Sequence, residues 1–198
     1  MTNRTVADLI EQLRSSDRTK RLSAAGQLAD LEGEAKAAIP ILRSWIGSED
    51  RYSHVTAMGS IIWIDRSEAG ALIPLLIEAL TSDDMSQLQA VIQLESLGEL
   101  AKPAVPALER LLDGDTTICW IASDALLEIT GDDSSVVNVG HRLLNDPDEL
   151  VRVVGVEHLM QLERSVIPTL EKIVVDDSSD LVRNRARQAL QEINSHPL

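Results

Sequence analysis

One pattern recurs six times along the chain. An aspartate or serine is followed at fixed offsets by a small residue and then by two large aliphatic ones. The anchors are Asp17, Asp50, Asp83, Asp115, Asp148 and Ser179, spaced 33, 33, 32, 33 and 31 residues apart. Seven residues after each anchor stand Ala24, Ala57, Ala90, Ala122, Gly155 and Ala186; eleven after, Leu28, Ile61, Leu94, Leu126, Leu159 and Leu190; fourteen after, Leu31, Ile64, Leu97, Ile129, Leu162 and Ile193. A unit this short cannot bury its own apolar face. It must stack on its neighbours, which restricts the chain to a repeat architecture.

Offsets of seven, eleven and fourteen differ by four and three, so these side chains share one face of an α-helix, with the small residue admitting a neighbouring helix. This is helix A of each unit. The anchors are good N-cap residues, worth about 1 kcal/mol each. Gly33, Gly70, Gly98 and Gly131 follow at or near the expected turn. A second helix, B, has Pro40, Pro74, Pro106 or Pro168 in its first turn, and Asn138 in the fourth unit. Thr5–Leu13, with Leu9, Ile10 and Leu13, reads as an isolated helix B, and the last unit has helix A only. The expectation is twelve helices in one domain, 1–198. Its parts are a half-repeat at 4–15, repeats at 17–49, 50–82, 83–114, 115–147 and 148–178, and a half-repeat at 179–194.

Composition limits the function classes. The 198 residues carry 32 acidic against 18 basic side chains, a net charge of −14, which argues against a nucleic-acid groove. Many of the carboxylates serve as caps, and the rest suit either a solvated surface or the steering of a basic partner. There is no Phe and only one cysteine, Cys119, so the core rests on small aliphatic contacts and no internal disulfide can form. No signal peptide and no membrane-length apolar run is visible, so a cytoplasmic protein without membrane association is expected.

Helix pairs of 31–33 residues with these columns resemble HEAT repeats, particularly the short HEAT-like type also found in bilin lyases. Asp148, Val151, Arg152, Leu159 and Pro168 in the fifth unit, and Val182, Arg183, Ala186 and Leu190 in the sixth, carry the likeness best. The resemblance implies a right-handed all-α solenoid used as a scaffold, with helices B lining a concave face. Directly after the proline, helix B reads Ile41, Leu75, Ala107, Val139 and Thr169. That column either packs between neighbouring B helices or forms an apolar strip for a peptide or partner helix. Under the second reading the binding residues are Ile41, Leu75, Ile77 and Val139, rimmed by Glu78 and Glu109, and the partner is a protein or peptide, of basic character where the acidic surface steers it.

Arg21, Arg152 and Arg183 share the fourth position after the anchor, where the other units carry His54, Gln87 and Cys119. Such a ladder suggests contacts to neighbouring turn carboxylates, interrupted mid-chain where a surface would be released from structural duty. No histidine or cysteine spacing suits a metal, and neither a phosphate loop nor a nucleophile elbow occurs, so no catalytic residue, metal site or cofactor is assigned. The expectation is a non-enzymatic protein-interaction scaffold. Its alternatives are a bilin lyase-like chromophore-handling protein, which would need a pocket of aromatic and basic groups, and a structural spacer in a larger assembly.

Overall fold

The computed structural model describes residues 5–82 and 85–195. Among these described residues twelve α-helices follow one another: α1 (Val6–Gln12), α2 (Arg18–Asp30), α3 (Ile39–Arg43), α4 (Arg51–Ile64), α5 (Ala69–Ala79), α6 (Met85–Ser96), α7 (Val105–Glu109), α8 (Thr116–Thr130), α9 (Ser134–Leu144), α10 (Glu149–Leu159), α11 (Ile167–Asp176) and α12 (Asp180–Ser195). No strand occurs among the described residues, so the protein is an all-α helical-repeat protein. The even-numbered helices are the A helices of the repeat and the odd-numbered ones are the B helices.

The capping chemistry is as the anchors require. Asp17 accepts from the amides of Thr19 and Lys20, Asp115 from Thr117 and Ile118, Asp148 from Leu150, Asp50 from Ser53, and Ser179 from Leu181. Asp83 lies outside the described residues. Thr5 and Asp8 close a reciprocal capping box on α1. The alanines of the first small-residue column are all buried, as are Leu28, Ile61, Leu94, Leu126 and Leu159 of the next.

Packing divides the chain into two compact units, one ending at Leu108 and including Glu128–Thr130, the other comprising Glu109–Leu127 and the chain from Gly131 onward. In the first, α4 packs on α2, α6, α3 and α5; in the second, α10 packs on α9 and α12, and α11 on α12. The second unit's core includes Val156, Leu159, Val166, Leu170, Val182 and Ala186.

Three local expectations are corrected. Pro74 is not in the first turn of its helix: α5 begins at Ala69, so the proline sits inside it. Gly33 does not supply the first left-handed turn. Glu32 does, at φ 46°, and Glu163 occupies the same step in the fifth repeat at φ 47°. Gly98 and Gly131 take positive φ as expected. The ladder after the anchors is also not broken at its second and third rungs. Arg21 donates to the carbonyls of Ser15 and Ser16, and Arg152 to those of Asp146 and Pro147. Gln87 does the same to Leu80, and His54 Nδ1 accepts the Gly47 amide. Each side chain satisfies backbone at the end of the preceding helix B, so arginine, glutamine and histidine do one job with different groups. Cys119 departs from this pattern and bonds the carbonyl of Thr116 in its own helix.

Candidate functional site

The first unit holds an open groove of about 500 Å³ across α2, α4 and α6, with Tyr52, Thr56, Ser60 and Trp63 on its floor and Gln89, Gln93 and Ser96 along one wall. Asp30 and Glu32 stand at its edge. Helix α4 is buried around almost its whole circumference from Val55 to Ile62, whereas Pro40 and Arg43 of α3 and Ala71 and Pro74 of α5 are exposed. The groove across α2, α4 and α6 is made by A helices, while a second cleft of about 520 Å³ in the same unit is lined in part by Leu75, Glu78 and Ala79 of helix B α5. The resemblance placed the concave face on helices B; the small and short polar residues of α4 let α2 and α6 pack close beside it.

The hydrogen bonding of this groove is incomplete. Thr56 Oγ1 donates to the carbonyl of Tyr52 at 2.8 Å, and Gln89 Nε2 reaches Thr56 Oγ1 only at 3.5 Å. Trp63 Nε1 donates to Ser96 Oγ at 3.3 Å, and Ser96 Oγ donates to the carbonyl of Gln93. The Ser60 hydroxyl and the Gln93 side-chain amide have no hydrogen-bond partner among the described residues, and neither is closed off from solvent. The Arg66 guanidinium lies 4.0 Å from the centre of the Trp63 ring and that of Arg18 5.1 Å from Tyr52, so each aromatic has a cation stacked on it. Arg18 is itself held by a two-pronged bond to Asp50, both arms at 2.9 Å.

The residues expected from the sequence fall in both units. Ile41, Leu75 and Ile77 are half-buried and Glu78 is exposed, all in the first unit; Glu109 is exposed and belongs to the second. Val139 is corrected to a core residue, 3 % exposed and packed with Cys119 and Leu143. Leu75 and Glu78 do share a cleft with Arg51 and His54. Burial holds the His54 imidazole below its usual range against the pull of Glu78. The arginines of α12 serve the fold: Arg183 bonds Asp180 and the Asp177 carbonyl, Arg185 bonds Glu157 and Glu192, and Arg187 bonds Asn184.

A second polar cluster, which sequence reading missed, lies inside the second unit. His158 is fully buried on α10, with Nε2 2.9 Å from Ser123 Oγ and Nδ1 3.2 Å from Gln161 Nε2 and 3.3 Å from Asp124 Oδ1. The residue types are those of a nucleophile, base and acid. The pattern differs, because Ser123 donates to the carbonyl of Trp120 at 2.7 Å and the Gln161 amide bridges to Asp124 at 2.7 Å. That assigns the imidazole proton to Nε2, leaving Nδ1 an acceptor of the Gln161 amide. Burial pulls the His158 pKa down to about 4 and raises that of Asp124 against the hydrogen bond from Gln161, so both shifts favour neutral forms and the two do not form an ion pair. The fully buried Ser123 hydroxyl is not presented to a substrate. The only sequence signal was the register: Asp124 and His158 fall one position apart in the repeat frame, beside each other on adjacent A helices. Burial likewise raises the Cys119 thiol.

Among the described residues there is no group of three or more histidine, cysteine or acidic side chains able to hold a metal, and no helix long and apolar enough to cross a membrane.

No protein-family model and no curated protein matches the chain. Solved structures do. An engineered protein is 21% identical over 98% of this chain and 100% of its own, with a TM-score of 0.50, which supports the helical fold. A second engineered protein, 23% identical, matches 97% of this chain and 58% of its own at a TM-score of 0.46. The complex of CpcE and CpcF of phycocyanin lyase from Nostoc sp. PCC7120 is 18% identical over 97% of this chain and 89% of that chain, at a TM-score of 0.46. Because a lyase complex stands among chains of this helical make-up, the expectation that the protein is not an enzyme is withdrawn. At that identity and TM-score no activity is transferred.

Proposed function

We propose that the protein is a binding module for a protein partner and that the recessed face of α2, α4 and α6 is its binding surface. The observation that carries this reading is an open groove of about 500 Å³ into which the Ser60 hydroxyl and the Gln93 amide present hydrogen-bonding groups that have no partner among the described residues. Both are accessible from the groove. A ligand entering it can bond them directly, whereas a purely structural α4 would favour alanine or an aliphatic residue at position 60.

Capture from lysate with three baits tests the location. Wild type and the Leu75→Glu, Ile77→Lys double variant should retain the same partner, and Gln93→Lys, altered only at the tip of a groove-facing side chain, should lose it. Retention by Gln93→Lys with loss from the double variant would move the site to helices B and overturn the reading.

One observation favours a second reading. The arginine-stacked Tyr52 and Trp63 bring aromatic and basic groups to one groove, as a linear tetrapyrrole would require. Mixing the protein with biliverdin distinguishes the two: a red-shifted, optically active visible band lost in Gln93→Lys would favour chromophore handling, and an unchanged spectrum would dismiss it.

A further inference from the structure

Resting on the reading of the recessed face as the binding surface, we infer that its ligand is an extended peptide segment, held through its main chain by Thr56, Ser60, Gln89 and Gln93 and carrying a basic side chain toward Asp30 and Glu32. Thr56 and Ser60 stand one turn apart on α4, and Gln89 and Gln93 one turn apart on α6, so a hydroxyl faces an amide at two successive levels of the groove. Four helical residues rise about 6 Å. Two residues of an extended chain span about 6.6 Å. The polar levels therefore keep step with alternate main-chain amides of a strand laid along the groove.

The groups have hydrogen-bonding capacity to spare. Ser60 and the Gln93 amide are unpartnered among the described residues, and Gln89, 9 % exposed, makes a single bond at the limit of reach. All four are uncharged and can both donate and accept, which suits a peptide main chain and selects no particular side chain. The aromatic residues are less available as sugar platforms, since arginine stacks on each and Trp63 already donates to Ser96.

Charge sets the polarity of the segment. Among the described residues Asp30 and Glu32 are the charged side chains that line the groove itself, Arg18 and Arg66 being engaged on its Tyr52 and Trp63 rings; both acids are exposed and neither is paired. They stand at the C-terminal end of α2, where the helix dipole also favours a cation. Glu32 keeps its carboxylate there despite a φ of 46°, a conformation that glycine would adopt without strain.

Panning a phage-displayed random dodecapeptide library against the whole chain tests this. The expected result is enrichment of peptides with a Lys or Arg, whose synthetic versions bind at least 10-fold more weakly to Gly59→Ala and to Gln93→Leu. The same peptides should lose at least 10-fold on N-methylation of a central amide, or on replacing the basic residue with norleucine. Both variants should unfold at the wild-type midpoint or above. Peptides that tolerate N-methylation throughout, or that need no basic residue, yet still weaken on Gly59→Ala, would overturn this inference and leave the recessed face as the binding surface. No enrichment at all, or equal binding by wild type and both variants, would overturn the face itself.

Discussion

The side-chain amide of Gln93 on α6 occupies the space that a β-carbon on Gly59 of α4 would take. A glycine inside a helix costs about 1 kcal/mol relative to alanine. Here it seats an amide that has no partner among the described residues, so local stability is given up to hold a polar group over the groove.

Gly59→Ala should therefore leave the fold at least as stable as wild type. The added methyl meets the far end of a flexible side chain, which can swing away, while helix propensity improves by up to about 1 kcal/mol. Urea unfolding, with the Gln93 side-chain amide followed by NMR, checks both halves. A midpoint well below wild type would show that Gln93 is a packing residue.

Gly155 and Gly26 should respond to alanine with opposite signs. A β-carbon on Gly155 would come within 3.0 Å of the Leu144 backbone nitrogen and of Leu143 Cβ, and neither can give way without moving α9. Gly155→Ala is expected to cost about 1–2 kcal/mol after the propensity gain. Nothing lies within 4 Å of the corresponding position on Gly26, so Gly26→Ala should gain about 0.5–1 kcal/mol. Chemical denaturation of the two variants side by side decides it.

Glu163→Gly should stabilise the protein. Its backbone at φ 47°, ψ −123° is one that side chains disfavour, and relief of that strain is worth about 1 kcal/mol after the entropy cost of glycine. An unchanged or lowered unfolding midpoint would refute it.

Gln87→Leu is expected to cost about 1 kcal/mol, because the Leu80 carbonyl loses its 2.8 Å partner. Gln87→Arg should be close to neutral, since arginine does this work at 21 and 152. Thermal melts of the two variants test the ladder, and a silent Gln87→Leu would return the site to free surface.

Acid should destabilise the protein through His158. The folded imidazole, buried beside Ser123, Asp124 and Gln161, takes a proton only near pH 4, whereas the unfolded chain takes it near the ordinary 6.5. The unfolded state thus binds more protons across this window, and stability falls as pH drops through it and levels below about 4, with a total on the order of 3 kcal/mol. Asp124, raised by burial, works in the opposite sense at the low end. Asp65, held at about 2 by its hydrogen bond from Lys36, gives up its contribution only below the usual carboxylate range. Urea midpoints at pH 7, 5.5 and 4.5 should show the drop in wild type and a smaller one in His158→Gln.

The repeat frame, the caps and the buried columns were legible in the sequence because they follow from local rules. A cap needs an oxygen next to free amides, and a buried face needs residues three and four apart. The same locality explains why each A helix was placed correctly and why Ala24, Ala57, Ala90 and Ala122 could be recognised as helix contacts. What the periodicity could not show is which side of a helix its neighbours close over. Val139 and Leu75 hold the same register position, yet one is core and the other half-buried, because the approach of the next helix differs from repeat to repeat. The groove on α4 and the buried His158 arise the same way: residues 33 and 35 positions apart meet only when successive A helices stack, so the polarity of each was visible in the chain and its partners only in the tertiary structure.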